Sequence, residues 1–176
     1  MIYNNWFIDA GFAVTRNNLY KTIPTLHKQW SLTVDIMPTG LVSGFANILR
    51  VGLGEDVTLY GDRTPTIWFN SMTTELVIAS AINGNKNYHS VVTPAIPMDT
   101  WTRVEITQLR QFDGSYQYTI IIAGEIFDQL TNNNPEEFSN VEVYTSDNFN
   151  NAAKAMITNL IIWTSPDGGN YSPTPV

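Results

Sequence analysis

Apolar and polar residues alternate with a period of two through most of this chain, the spacing of strands that turn one face to a core. Trp30, Leu32, Val34 and Ile36 alternate with Ser31, Thr33 and Asp35, and Pro38-Thr39-Gly40 stops the run. Residues 48–53, 57–60 and 66–69 predict three more strands. Residues 75–82 are almost wholly apolar, as in a strand buried on both faces. Asn83-Gly84-Asn85 is the strongest hairpin signal, because Asn and Gly accept the positive φ of a tight turn. Downstream, Val104 and Ile106 alternate with Arg103, Glu105 and Thr107, and Asp113-Gly114 marks a second tight turn. Tyr116, Tyr118, Ile120 and Ile122 then alternate with Gln117 and Thr119, which completes a hairpin. Gly124 precedes a short run at 125–127, Val141 and Val143 make another, and 155–163 a long last one. The opening stretch 6–14 also reads as a strand, and 151–156 is the only segment that favours a helix.

About ten strands with frequent turns and almost no helix predict an all-β fold, and so many antiparallel strands must close into a barrel or stack as two sheets. Long connections at 83–99 and 129–140 favour a jelly-roll β-sandwich. One domain is expected over residues 1–165. Residues 166–176, with Ser172-Pro173-Thr174-Pro175, read as a polar tail. Trp30, Trp101 and Trp163 lie in strand patterns and are expected in the core. Trp68 sits on the opposite side of its strand from Ile67 and Phe69, and an outward Trp68 would mark a binding face or a contact with another chain.

Composition narrows the function classes. At 176 residues the chain can bury about 70% of its unfolded surface. Nine basic and sixteen acidic residues leave a net charge of −7, which argues against nucleic acid and against anionic lipid. Only 14% of residues are charged, and polarity comes instead from 18 Asn and 20 Thr, a surface suited to a turn-rich β-protein. Without cysteine there is no disulfide, thiolate zinc site or cysteine nucleophile. No apolar run is long enough for a membrane span, so no membrane insertion is expected. The start of the chain lacks the charged-then-apolar pattern of a leader, so a secreted protein would have its signal outside this sequence. Asn170-Tyr171-Ser172 is a lone glycosylation sequon.

Several blocks together resemble the concanavalin A-like, laminin-G-like sandwiches. Gln29-Trp30-Ser31-Leu32-Thr33-Val34-Asp35-Ile36-Met37-Pro38 resembles their early strand, and Gly61-Asp62-Arg63-Thr64-Pro65-Thr66-Ile67-Trp68-Phe69 the next block. Trp101-Thr102-Arg103-Val104-Glu105-Ile106-Thr107 resembles the strand after their long loop. Residues 118–127 resemble the strand and bend that follow, and 141–147 with Ile157-Thr158-Asn159-Leu160 the closing strands. The resemblance covers residues 30–164. It departs from many laminin-G-like domains in having no C-terminal disulfide. It implies an antiparallel jelly roll in a superfamily that holds lectins, adhesion modules and glycoside hydrolases, so function has to come from the site.

Catalysis finds little support. A sandwich glucanase needs carboxylates at alternating positions on one strand face, and no Glu-x-Asp-x-x-Glu occurs. Two histidines and no Gly-x-Ser-x-Gly leave no nucleophilic triad, so no enzyme is expected. Sugar recognition instead needs an aromatic face beside amides. Asn85, Asn87, Tyr88 and His89 form one such cluster, and Tyr144, Phe149 and Asn150 a second. The resemblance also implies a rim calcium, for which Asp62 and the pair Asp147-Asn148 occupy the matching positions. Structural roles compete: Asp62 as a partner of Arg63 or a turn cap, and Asp147 as an Asx turn. The expectation is a secreted, non-catalytic glycan-binding module, which calcium would assist. The alternative is a structural or adhesive protein that binds extracellular proteins or forms a homo-oligomer.

Overall fold

A computed structural model describes residues 6–8, 11–89 and 93–167. Among them there are fourteen strands and no helix. In chain order these are β1 (Trp6–Ile8), β2 (Phe12–Ala13), β3 (Leu19–Leu26), β4 (Gln29–Pro38), β5 (Ala46–Gly52), β6 (Thr66–Phe69) and β7 (Leu76–Ile82). They continue with β8 (Asn85–His89), β9 (Thr102–Arg110), β10 (Tyr116–Ile122), β11 (Glu125–Asn132), β12 (Phe138–Tyr144), β13 (Asn151–Ala152) and β14 (Ala155–Ser165). The first sheet runs β1-β14-β4-β9-β10-β11, with β2 also on β14; the second runs β3-β12-β5-β6-β7-β8, with β13 on β5. All these pairings are antiparallel except β13 on β5.

The core lies between the sheets, where the period-two pattern directs it. In the first sheet Leu32 lies opposite Ile106 on one side and Ile162 on the other, and Val34 opposite Val104. In the second, Ile67 lies opposite Ile78 on β7 and Leu49 on β5. All of these are buried in one cluster. Tyr118 crosses the core: its hydroxyl meets Ser80 of the other sheet at 2.8 Å, and Trp30 packs edge-on to its ring at 6.3 Å. Burial pushes the Tyr118 phenol far above its usual pKa, so it stays neutral. β7 is buried along its whole length, as its apolar run predicts, but its two faces serve different clusters. Leu76, Ile78 and Ile82 join the main core, while Val77 and Ala79 pack with Trp68 outside it.

Several expectations change. Residues 57–60 are not a strand. They belong to an irregular loop at 53–65, where the Leu59 N–H donates to the Asp62 side chain and the Asp56 carbonyl accepts from Arg63. β3 was not apparent because Lys21, Thr22 and Pro24 blur its alternation. It is an edge strand, where a proline's missing N–H costs no ladder bond. The connection at 83–99 contains edge strand β8, and much of 129–140 is occupied by β11 and β12. Residues 151–156 are extended: one helical turn cannot nucleate alone, and small Ala153 and Ala155 fit into the core instead. Trp30 and Trp163 are buried, but Trp101 sits just before β9 and is 43% exposed. Asn170 and most of the 166–176 tail lie outside the described residues.

Candidate functional site

The outer face of the second sheet gathers much of the predicted chemistry. Alternation in β6 sends Ile67 and Phe69 inward and Trp68 outward. Trp68 is nevertheless buried, because the 53–65 loop folds back and lays the Arg63 guanidinium over the indole, 4.8 Å from the ring centre. Arg63 is held there by Asp56, whose carboxylate it meets at 2.6 Å and whose carbonyl it meets at 3.1 Å. Arg63 also donates to the Asn87 side-chain oxygen. The Asn87 amide in turn donates to His89 Nε2 at 2.6 Å. Desolvation of the His89 ring, and then the nearby Arg63 charge, hold its pKa below the usual histidine value. The ring is therefore neutral near pH 7, with Nε2 accepting from Asn87 and the proton on the other nitrogen, which is left to donate. Phe45, Arg63, Trp68, Val77, His89 and Asn150 line a pocket of about 120 Å³. Phe45 is exposed, as is Phe149, the residue before Asn150.

The second loop is built by Asp147. Its Oδ1 accepts from the backbone of Phe149 at 3.1 Å and of Asn150 at 3.0 Å, the Asx turn its sequence allows. Its own N–H donates to the Asn47 side chain at 2.9 Å, which fastens the turn to β5. Phe149 is pinned from the other side by Arg50, whose guanidinium lies 5.1 Å from its ring centre. Tyr144 lies opposite Arg50 across the β12–β5 pair, and its phenol is raised by burial and then by Glu142.

The structure thus brings His89 of β8, with its partner Asn87, together with Asn150 of the Asp147 turn some sixty residues further on. It separates others. Tyr88 alternates to the opposite face, where its hydroxyl donates to Asp128 on β11 at 3.1 Å and ties the sheets together. Asn85 is exposed at the hairpin, where its side chain caps Asn87 N at 2.9 Å. Asn148 is exposed too, and its carbonyl accepts from Arg16 at 2.9 Å. Asp62 and Asp147 are both fully buried. Asp62 caps Leu59 N, and Arg63 pairs with Asp56 instead of its neighbour.

No family model and no curated protein matches the sequence. Solved structures do match in shape. A heptameric SAP-like pentraxin from Limulus polyphemus superposes with a TM-score of 0.57 at 12% identity, over 91% of this chain and 75% of that one. Domain 4 of AbnA, a GH43 extracellular arabinanase from Geobacillus stearothermophilus in complex with arabinotriose, gives 0.52 at 12% identity, over 93% and 82%. The botulinum neurotoxin type G receptor-binding domain gives 0.53 at 13% identity, covering 97% of this chain but only 44% of that one. The fold is a concanavalin A-like jelly roll.

This jelly roll has a second and larger hollow, of about 530 Å³, walled by Ile96, Pro97, Trp101, Ile122, Ile126 and Phe127. Its chemistry differs from that of the first site. The walls are mainly apolar, and the Arg103 beside them is already held in a fork by Asp35 at 2.8 and 3.2 Å. Thr100, Thr102 and Glu125 are the hollow's other polar side chains, whereas the smaller pocket sets Arg63, His89 and Asn150 beside exposed Phe45. Sequence reading missed Phe45 and the roles of Arg50 and Arg63. One signal was available: Arg50 is a lone charge inside an otherwise uncharged strand.

Proposed function

We propose that this protein is a non-catalytic glycan-binding module whose site is the outer face of the second sheet. The observation that carries the reading is the meeting of two loops over Trp68. Exposed Phe45 stands there beside the amide of Asn150 and the neutral imidazole of His89, and exposed Phe149 precedes Asn150 in the same Asp147 turn. Aromatic faces take sugar C–H surfaces, and fixed amides take hydroxyls. The likeness to an arabinanase domain that holds arabinotriose supports the reading at the level of the fold. A glycan ligand also favours an extracellular setting.

The resemblance to laminin-G-like domains implies calcium between Asp62 and Asp147, but the residues there do not fit it. The buried Arg50 guanidinium already lies in the field of both carboxylates. Among the described residues, no three His, Cys, Asp or Glu side chains converge as a metal cage requires. We therefore propose that binding proceeds without a metal.

The test is a glycan array, followed by titration of any ligand found into the wild type, Phe149→Ala and Phe45→Ala in EDTA. Loss of a well-placed aromatic contact is expected to weaken binding roughly five- to tenfold, from about 1 kcal/mol, with an unchanged circular dichroism spectrum. No binding to any glycan, or full affinity in both variants, defeats the proposal. A second reading, self-association, draws on exposed Ile126 on edge strand β11 beside exposed Trp101. Mass growing with concentration in light scattering would favour it.

A further inference from the structure

Arg50 is the only ionisable residue of β5 and is 1% exposed. A guanidinium so buried is costly unless it is compensated. Among the described residues it has no carboxylate within ion-pair distance, yet it is not isolated. It donates to the carbonyl of Glu55 and, at 3.1 Å, to that of Asp62, both in the 53–65 loop. It also stacks on Phe149, in the loop that Asp147 builds. Burial pushes its pKa down, and the charges of Asp147, Asp62, Asp56 and Glu142, in that order, push it back up. The two strongest partners are themselves buried, at 1% and 0% exposure. Each spends one oxygen on its own turn and keeps the other, Asp147 Oδ2 and Asp62 Oδ1, without a protein hydrogen-bond partner. Arg50 Nε is likewise buried without a partner.

We propose that Arg50 is a built-in cation. From under the sheet face it draws the Asp62 loop and the Asp147 loop together, doing structurally what a bound divalent ion would do. One buried positive charge faces two buried negative ones on different loops. Removing it leaves two buried carboxylates, each with one oxygen on its own turn, and no cation to offset their charge. Arg50 is therefore a positioning residue for Phe149 and Asn150, and the assembly of the face is independent of metal. This goes beyond the glycan reading, and its test uses no sugar.

The experiment is thermal unfolding of the full chain. The wild-type midpoint is expected to be the same in EDTA and in millimolar calcium. Arg50→Met, which keeps the stem and removes the charge, is expected to lower the midpoint by roughly 10 °C, as for other broken buried charge networks. Asp147→Asn lowers the midpoint when made in the wild type, but is expected to raise it when made in the Arg50→Met background. A wild-type midpoint that rises with calcium, or effects of the two substitutions that simply add, overturns the proposal. Should Arg50→Met not fold, the Arg50→Met/Asp147→Asn chain decides: recovery of a cooperative transition supports the proposal, and failure to fold overturns it.

Discussion

Replacing Arg63 by Gln tests whether the outer face of the second sheet is assembled as described. The side chain makes three contacts that Gln cannot reproduce. Its guanidinium over Trp68 is mostly buried, so the cation–π term is worth about 1–2 kcal/mol. The Asp56 carboxylate is 42% exposed, which limits that ion pair to about 0.5–1 kcal/mol. The bond to Asn87 contributes about 1 kcal/mol. Together these come to roughly 3 kcal/mol, or a midpoint lower by about 6–12 °C at this chain length. The decisive measurement is the NMR titration of the His89 ring, assigned with the help of a His27→Gln variant. In the wild type His89 titrates below the ordinary value, through desolvation and then the Arg63 charge. A depressed histidine pKa means that the unfolded chain takes up the proton first. Stability is therefore intact above the unfolded value of about 6.5 and falls as pH drops from there through the folded pKa. Arg63→Gln removes one of the two causes, so His89 should titrate higher and this acid sensitivity should shrink. If His89 titrates at the ordinary value in the wild type, or stays in place in Arg63→Gln, the ring does not sit in the Arg63 field and the face is built differently.

Two further predictions concern the frame that holds the face. Tyr118→Phe strands the buried Ser80 hydroxyl and should cost about 1–3 kcal/mol in urea unfolding. Adding Ser80→Ala should return much of that, because removing both partners leaves nothing unsatisfied; a double variant that costs the full sum contradicts this. Gly52→Ala should destabilise by about 3 kcal/mol, because the new Cβ would lie 1.9 Å from the Asp62 carbonyl oxygen and the loop backbone cannot yield as a side chain would; an unchanged unfolding midpoint would show that the loop does not press on β5.

Much of the fold was legible because it rests on local alternation. β4, β7, β9 and β10 follow from their own residues, and Asn83 and Gly84 adopt φ of 53° and 75° in the hairpin their sequence announces. Edge strands were harder to read. β3 and β8 face solvent along one side, so their residues are not held to an apolar pattern, and Pro24 reads as a breaker although it breaks nothing there. The site was half legible. Residues 85–89 were marked for their amides and rings, but strand parity divides them: Asn87 and His89 turn to the sheet face, Tyr88 to the inter-sheet space. Trp101, with the composition of a core residue, lies one position before its strand and so escapes the pleat that would have buried it.

By itself, the sequence determined most of the strands, their inward and outward faces and the tight turns, because each depends on neighbours a few residues apart. Only the tertiary structure decided what the charges do. Arg50, Asp62 and Asp147 are far apart along the chain, and whether two acids hold a metal or face an arginine depends on which strands lie side by side. In this jelly roll β5 stands between β12 and β6. That order brings Arg50 beneath both loops, and the cost of burying its charge without compensation keeps the two acids near it.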